Sequence, residues 1–148
     1  MKKTGFTMIE LIFVIVILGI LAAVAIPKLA ATRTDAKAVS LGQEVSSAVQ
    51  EVSNYVTAHG GDANKTVLTE QSQVLKQLSE QQKGAEADHD GNRSFNIYSD
   101  GTSTCIKFEV NNTTLAVQYG DADDQICAGV KKIVKENSYK LAGSNVNF

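Results

Sequence analysis

The sequence predicts an α+β protein in which a long N-terminal helix, membrane-spanning in its first half, packs on a small antiparallel sheet. Three observations lead to this fold class. Sixteen residues from Leu11 to Ile26 carry neither charged nor polar side chains. Apolar residues then recur at helical spacing over residues 38–55, and alternating apolar runs, typical of strands, lie between residues 95 and 119. The net charge of −2 is too small to indicate a nucleic-acid partner.

The apolar run is long enough to cross a membrane. A helix over Phe6–Ile26 would be about 31 Å long, close to the hydrocarbon thickness of a bilayer. Lys2 and Lys3 precede it and favour a cytoplasmic N-terminus, so the remainder would lie outside the cytoplasm. Two ordinary alternatives are a plain membrane anchor and a secretory signal peptide cleaved after the Ala-Val-Ala of residues 23–25. Glu10 interrupts the approach to the apolar run and disfavours the signal peptide.

The chain begins with a specific motif, Lys2-Lys3-Thr4-Gly5 followed by Phe6-Thr7-Met8-Ile9-Glu10-Leu11. It resembles the processing signal of type IV pilins and pseudopilins, in which a short basic leader ends in glycine and precedes phenylalanine, with glutamate fifth in the mature chain. The resemblance is confined to the N-terminal part of the sequence. It implies that residues 1–5 are a leader, that a prepilin peptidase cuts between Gly5 and Phe6, and that the Phe6 amine is methylated.

The resemblance also gives Glu10 a role. A carboxylate well inside a membrane helix costs about 2.5–3.5 kcal/mol on insertion scales and needs a partner. In the family, that partner is the Phe6 amine of a neighbouring subunit, and their pairing favours the correct axial register of a growing filament. The alternative is that Glu10 lies in the headgroup region and caps the helix, which would describe the state before assembly.

Gly19 and Pro27 are the weak points of the predicted membrane helix. Proline removes a backbone donor, and glycine has low helix propensity. The resemblance implies that the segment from Gly19 to Pro27 becomes extended when subunits assemble. A simple kink at Pro27 is the alternative.

Residues 28–58 form the amphipathic half of the same predicted helix, which Gly60-Gly61 would end. Phe6–Ala58 would then span about 80 Å. The resemblance implies a lollipop, in which residues 6–27 form the filament core and residues 59–148 form a displayed globular head. The predicted apolar stripe of the second half consists of Ala38, Leu41, Val45, Ala48, Val52 and Tyr55.

The head is predicted to contain one short helix and several strands. Thr69 followed by Glu70–Lys83 predicts the helix, ended by Gly84, and a polar loop would continue to about Ser94. The predicted strands are Phe95–Tyr98, Thr104–Val110 and Thr113–Tyr119.

A hairpin with Asn111-Asn112 as its turn is predicted between the last two strands. Pairing Val110 with Thr113 would place Phe108 opposite Leu115, and Ile106 opposite Val117. One face of the hairpin would then be apolar and able to cover the helix stripe.

The chain has two cysteines, Cys105 and Cys127. Because the resemblance places the head outside the cytoplasm, it implies a disulfide between them. Such a bond would be worth about 3 kcal/mol. Two free thiols in a cytoplasmic domain are the alternative.

No metal site is assigned from the sequence. The segment Asp88–Asn92 is like the start of a calcium loop, but the twelfth position counted from Glu86 is Ile97, which cannot bind calcium. Asp121, Asp123 and Asp124 form a second acidic loop. Major pseudopilins carry calcium in a C-terminal loop, but no ligand can be matched here residue by residue.

Other functional sites are weakly indicated. Lys131, Lys132, Lys135 and Lys140, with Tyr139 among them, could contact a phosphate backbone, although such a run is more often a solvated face. The histidines, at positions 59 and 89, are far apart in the sequence. Because no nucleophile–base pair, phosphate loop or zinc spacing is visible, neither an enzyme nor a cofactor is expected.

The sequence is therefore identified as a structural subunit of a type IV filament. The resemblance implies an inner-membrane precursor that an assembly ATPase and a platform protein polymerise through its N-terminal helix into a periplasmic or extracellular homopolymer. The filament could serve adhesion or motility, DNA uptake, or protein secretion as the major pseudopilin. A secreted or membrane-anchored binding module is the alternative of a different class.

Overall fold

The computed structural model describes residues 5–59, 66–81, 83–89, 92–99, 103–111 and 113–141. It confirms the α+β fold class, because a 51-residue helix, α1 (Met8–Ala58), accompanies a five-stranded antiparallel sheet. The chain divides into two compact units, residues 1–35 and residues 36–148, and α1 begins in the first and ends in the second. Residues 1–4 of the predicted leader and the glycine pair at 60–61 lie outside the described residues.

The first unit is a helix with its apolar side chains exposed. Among the described residues, α1 is the one helix long and apolar enough to cross a membrane. Large apolar side chains are exposed on every side of its first half, from Met8 to Leu29, and Phe6 just before the helix is exposed as well. A surface of this kind requires lipid or other protein around it.

The second half of α1 supplies a stripe to the core of the second unit. Five of the six predicted stripe residues are buried: Ala38, Leu41, Val45, Ala48 and Val52. Tyr55 was the wrong choice for the last position, since Val56 is buried there and Tyr55 is half-buried. Tyr55 and Val56 are adjacent in the helix and both lie near its buried face, and the smaller valine side chain occupies the core. The ring of Tyr55 instead stacks on His59, with 4.0 Å between centroids.

The single helix predicted after Thr69 is wrong. The structure has two short helices, α2 (Leu68–Gln71) and α3 (Gln73–Glu80), separated by Ser72 in an extended conformation. The Ser72 hydroxyl accepts a hydrogen bond from the Leu75 amide and so caps α3. An amphipathic pattern alone does not show such a break, because the apolar positions of both helices face the same core.

The sheet has the order β1-β2-β3-β4-β5, and all neighbours are antiparallel. Its strands are β1 (Gly84–His89), β2 (Asn92–Tyr98), β3 (Thr104–Asn111), β4 (Thr114–Tyr119) and β5 (Asn137–Lys140).

The polar loop expected up to Ser94 is also wrong, because β1 and the first residues of β2 occupy it. Strand β1 is at an edge and contains small and charged residues, so it lacks the apolar alternation by which strands are recognised. It begins at Gly84, where a Cβ would lie 2.3 Å from the Phe95 ring. Close packing against this ring explains the glycine.

The predicted register of the β3–β4 hairpin is wrong by two residues. Val110 pairs with Leu115 rather than with Thr113, and Asn111 pairs with Thr114 instead of forming the turn. A shift of two residues keeps every side chain on its predicted face. The apolar face is therefore confirmed, and its residues are Ile106, Phe108, Val110, Leu115 and Val117, each at most 1% exposed.

A third short helix, α4 (Gln125–Ile133), lies between β4 and β5 in the chain and is absent from the sequence prediction. It lies close to α1, since a Cβ at Gly129 would come within 2.6 Å of the Ala38 Cβ. Its buried residues Ile126, Cys127 and Val130 complete the core at this end of the sheet.

Candidate functional site

The N-terminus of α1 is closed by a pair of polar side chains. Thr7 directly precedes the first helical residue, and its Oγ1 accepts a hydrogen bond from the Glu10 amide at 3.4 Å. In return, Glu10 Oε2 accepts from the Thr7 amide at 2.8 Å and from Thr7 Oγ1 at 2.6 Å. This reciprocal arrangement is a capping box, which satisfies amide groups that the first helical turn leaves without partners.

Sequence reasoning missed Thr7, although a signal for it was present. A threonine followed three residues later by glutamate, just before an apolar run, is the signature of a capping box. In the single chain, the Glu10 carboxylate is thus held by its own helix end. The negative charge also lies at the favourable end of the helix dipole.

The proposed cleavage position lies just before this cap. Gly5 and Phe6 precede α1, and Phe6 is 90% exposed. A Cβ built on Gly5 would have no atom within 4 Å, so the space around this residue is open. The peptide bond between the two residues is therefore accessible to another protein.

Gly19 and Pro27 both lie inside α1 in the free chain. The surroundings of Gly19 are open, since a Cβ there would also meet nothing within 4 Å. Pro27 has no amide hydrogen, so the Ala23 carbonyl lacks its usual helical donor. Extension of this segment on assembly remains a prediction.

The N-terminal residues match a known family model. Residues 1–26 match the prokaryotic N-terminal methylation motif. The chain carries the prepilin-type motif of type IV pilins and pseudopilins. No curated protein and no solved structure matches the chain. The motif therefore assigns the N-terminal segment, residues 1–26, to this class.

A disulfide joins Cys105 of β3 to Cys127 of α4, with 5.5 Å between the Cα atoms. Both cysteines are completely buried. The disulfide that the resemblance to pilins implies is therefore present, and it ties the first turn of α4 to the sheet. It fits a protein that matures in an oxidising compartment.

Asp124 of the acidic loop is a helix cap. Its Oδ1 accepts hydrogen bonds from the amides of Ile126 and Cys127 at 2.9 and 3.0 Å, and its Oδ2 accepts one from the Ser99 hydroxyl. Burial raises the pKa of Asp124, but the hydrogen bond from Ser99 and those from the two amides outweigh burial and lower the pKa below its ordinary value. The carboxylate is thus bound within the protein as an anion.

The side chain of Lys131 forms hydrogen bonds with carbonyl groups of the same loop. Lys131 Nζ donates to the carbonyl oxygens of Gly120 at 3.1 Å and Ala122 at 3.0 Å, and lies 5.8 Å from the centre of the Tyr119 ring. These carbonyls face a cation that the chain itself supplies. Among the residues that the structure describes, no group of three or more histidine, cysteine or acidic side chains could hold a metal.

The lysines of the predicted basic run differ in how accessible their ammonium groups are. Lys132, Lys135 and Lys140 are exposed, whereas the Lys131 ammonium is bound to the loop and is not free for a phosphate. Glu136 lies within the run and accepts a hydrogen bond from the Tyr119 amide at 2.8 Å. Contact with DNA stays an untested prediction, and Lys131 is not available for it.

The remaining candidates are the segment Asp88–Asn92 and His59. In the segment Asp88–Asn92, residues 90 and 91 lie outside the described part of the chain, and residues 88, 89 and 92 belong to strands. His59 is exposed at the end of α1, where its Nδ1 lies 2.9 Å from the Tyr55 carbonyl oxygen.

Proposed function

We propose that this protein is the structural subunit of a type IV filament. A prepilin peptidase cuts it between Gly5 and Phe6 and methylates the Phe6 amine. The mature chain waits in the inner membrane until an assembly ATPase and a platform protein add it to a homopolymer. Residues 6–27 then form the filament core, and the part after residue 58 is displayed outside the cytoplasmic membrane.

The observation that carries the proposal is the motif match over residues 1–26. The exposed apolar helix supports it, because a surface of this kind has two natural environments, a bilayer before assembly and neighbouring helices afterwards. The buried disulfide supports an oxidising location for the displayed part.

The test is the chemical identity of the mature N-terminus. We expect mass spectrometry of the protein from its native cells to give a chain that begins at Phe6 and carries one extra methyl group. Deletion of the prepilin peptidase should leave residues 1–5 attached. A chain that begins at Ile26 would instead indicate a conventional signal peptide, and an unprocessed chain in the presence of the peptidase would indicate a plain anchor.

Two features of the second unit favour a pilus subunit over a major pseudopilin. Lys131 binds the loop carbonyls of Gly120 and Ala122, and Asp124 is engaged as the cap of α4. Of the groups with which this loop could bind calcium, the Asp124 carboxylate and the carbonyls of Gly120 and Ala122 therefore have partners already. We accordingly propose a surface or DNA-uptake pilus as the first choice and a secretion pseudopilus as the second.

A further inference from the structure

A five-residue pattern occurs three times in the chain after residue 58. It consists of an acidic residue, any residue, asparagine, any residue, and serine or threonine, and its copies are residues 62–66, 90–94 and 109–113. Asparagine followed two positions later by serine or threonine, without proline between them, is the acceptor pattern for N-linked glycosylation of exported proteins. The composition of the chain predicts fewer than one copy that also has the acid. Three copies therefore indicate that an enzyme recognises the pattern.

The three copies differ in whether their last residue, which supplies the required hydroxyl, can be reached in the folded protein. In the first copy, the hydroxyl oxygen of Thr66 is buried. In the second copy, Ser94 is only 7% exposed. In the third copy, Asn111 and Thr113 are both exposed. The copy at residues 109–113 is therefore the one that an enzyme can approach after folding.

This third copy lies at the tip of the β3–β4 hairpin. Asn111 is the last residue of β3 and pairs with Thr114, the first residue of β4. The Thr114 hydroxyl also donates to the Asn111 carbonyl oxygen at 3.3 Å. Val110 and Leu115 are the buried residues nearest to the tip on these two strands, and Asn111 takes no part in the core. A bulky polar substituent on Asn111 therefore displaces no buried side chain.

The acid of the third copy lies on the same face of β3 as the acceptor asparagine. Side chains two residues apart in a strand point to the same side of the sheet, so Glu109 and Asn111 are neighbours on the side opposite the core. The Glu109 side chain is 40% exposed, and Lys107 and Gln118 contact its two carboxylate oxygens. An enzyme that approaches the hairpin tip from this side meets the carboxylate and the amide together.

We propose that Asn111 is an N-glycosylation site and that the transferase recognises Glu109 together with Thr113. The sugar donor is an oligosaccharide linked to a lipid diphosphate. Asn111 Nδ2 forms a bond with the anomeric carbon of the sugar, and the bond from this carbon to the diphosphate oxygen breaks. The lipid diphosphate leaves, and the amide nitrogen gives one proton to a base of the transferase. The inference rests on the proposed function in one respect, the export of the residues after 58 from the cytoplasm.

Mass spectrometry of peptides from the full chain, purified from its native cells, provides the test. We expect the peptide with Asn111 to exceed its sequence mass by a whole number of sugar residues and to release sugar fragment ions. Asn111→Gln and Thr113→Val should abolish this added mass, whereas Thr113→Ser retains the hydroxyl and should preserve it. The control is Asn54→Gln, because Asn54 is exposed on α1 but valine stands two positions later. This variant should keep the sugar on Asn111.

The chain contains a matched control beside the site. Asn112 is also followed two positions later by threonine, but Val110 stands where the other copies have an acid. We expect fragmentation to place the sugar on Asn111 and not on Asn112, and we expect Glu109→Gln to lose it. Sugar on Asn112 in place of Asn111 would refute the assignment. A Glu109→Gln chain that is modified as fully as the unsubstituted chain would refute the recognition of the acid.

The same sample reports the mature N-terminus, so the two proposals can fail separately. If the chain begins at a methylated Phe6 but Asn111 carries no sugar, the glycosylation site is refuted and the proposed function stands. If Asn111 carries sugar on a chain that retains residues 1–5, the site stands and the proposed processing fails. Sugar on Asn64 or Asn92 without sugar on Asn111 would refute the choice made from the exposure of Thr113.

Discussion

Glu51 of the long helix binds Ser72 at the break between α2 and α3, with 2.6 Å between Glu51 Oε2 and the Ser72 hydroxyl oxygen. The same carboxylate oxygen accepts a hydrogen bond from the Val74 amide at 3.1 Å. Ser72 in turn caps α3 through the Leu75 amide. A carboxylate on α1 therefore fixes the start of a helix that is remote from it in the sequence, and this contact explains why the predicted single helix is divided.

We predict that Ser72→Ala lowers the free energy of unfolding by about 1–2 kcal/mol, because α3 loses its cap and Glu51 loses a donor. Urea denaturation of the full chain in detergent, followed by near-ultraviolet circular dichroism, measures the change. Ser40→Ala is the control, since Ser40 is exposed on α1 and lies 3.5 Å from Glu44 Oε1. Its effect should stay within about 0.5 kcal/mol. Equal losses in the two variants would contradict the role of Ser72.

Asp124 should make stability depend on pH at the acidic end. Because its pKa is lowered in the folded protein, the unfolded chain takes up this proton more readily than the folded chain does. The contribution of Asp124 is complete above its ordinary pKa of about 3.9 and is lost as the pH falls through the lower folded value. We predict that Asp124→Asn, which retains a capping side chain, weakens the acid dependence of the unfolding free energy.

The control for this pH dependence is Asp121→Asn, an exposed residue of the same loop. Unfolding free energies measured between about pH 6 and pH 3 compare the variants with the unmodified protein. If Asp124→Asn and the unmodified chain lose stability in parallel over this range, the hydrogen bonds from Ser99 and the α4 amides do not hold the carboxylate as an anion.

Lys131 should stabilise the loop of residues 120–124 in place of a metal. Lys131→Met retains an apolar stem but removes the donor to the carbonyls of Gly120 and Ala122, so we predict a loss of about 1–3 kcal/mol. The exposed neighbour Lys132→Met should have little effect. Calcium should not raise the melting temperature of the unmodified protein. A calcium-dependent rise that Asp124→Ala abolishes would establish a metal site and favour the pseudopilin alternative.

The disulfide should stabilise α4 more than it stabilises the sheet. Cys105 lies in β3, which pairs on both sides, whereas α4 is anchored through Cys127 and the Asp124 cap. We predict that replacing both cysteines by serine costs about 3 kcal/mol, as expected for closing a loop of this length. Hydrogen exchange should accelerate first at the amides of Gln125–Ile133. Uniform acceleration over β3 and β4 would contradict this order.

The features that could be predicted from the sequence are those that depend on a pattern of apolar residues over many positions. The apolar run, the stripe from Ala38 to Val52 and the apolar face of the β3–β4 hairpin all follow from periodicity over many residues. A register shift of two residues does not alter which face is apolar, so the wrong pairing of Val110 had no effect on the predicted core.

The features that were missed depend on single tertiary contacts. The break at Ser72 is fixed by Glu51, which comes much earlier in the chain. Strand β1 is defined by pairing with β2 rather than by its own apolar residues. Lys131 appeared to belong to a basic surface, but its partners are two carbonyl groups that no sequence pattern identifies. The Thr7–Glu10 cap differs from these, because a threonine followed three residues later by glutamate can be recognised in the sequence alone.

The segment between Gly19 and Pro27 is predicted to change conformation on assembly. In the free chain it is part of α1, but Pro27 leaves the Ala23 carbonyl without its helical donor and Gly19 weakens the helix by about 1 kcal/mol relative to alanine. Backbone groups that extension frees can be satisfied in a filament by polar groups of neighbouring helices and by ordered water. We therefore expect the amides of residues 21–25 to exchange rapidly in filaments.

Residues 13–17 of the same filaments provide the internal reference, because they contain neither glycine nor proline. Their amides should exchange much more slowly than those of residues 21–25. Pro27→Ala restores the missing donor, so in filaments of this variant the exchange of residues 21–25 should slow by at least about tenfold towards the reference, the factor expected from regaining about 1.4 kcal/mol. Strong protection of residues 21–25 in unmodified filaments would mean that the helix persists there and that Pro27 produces no more than a kink.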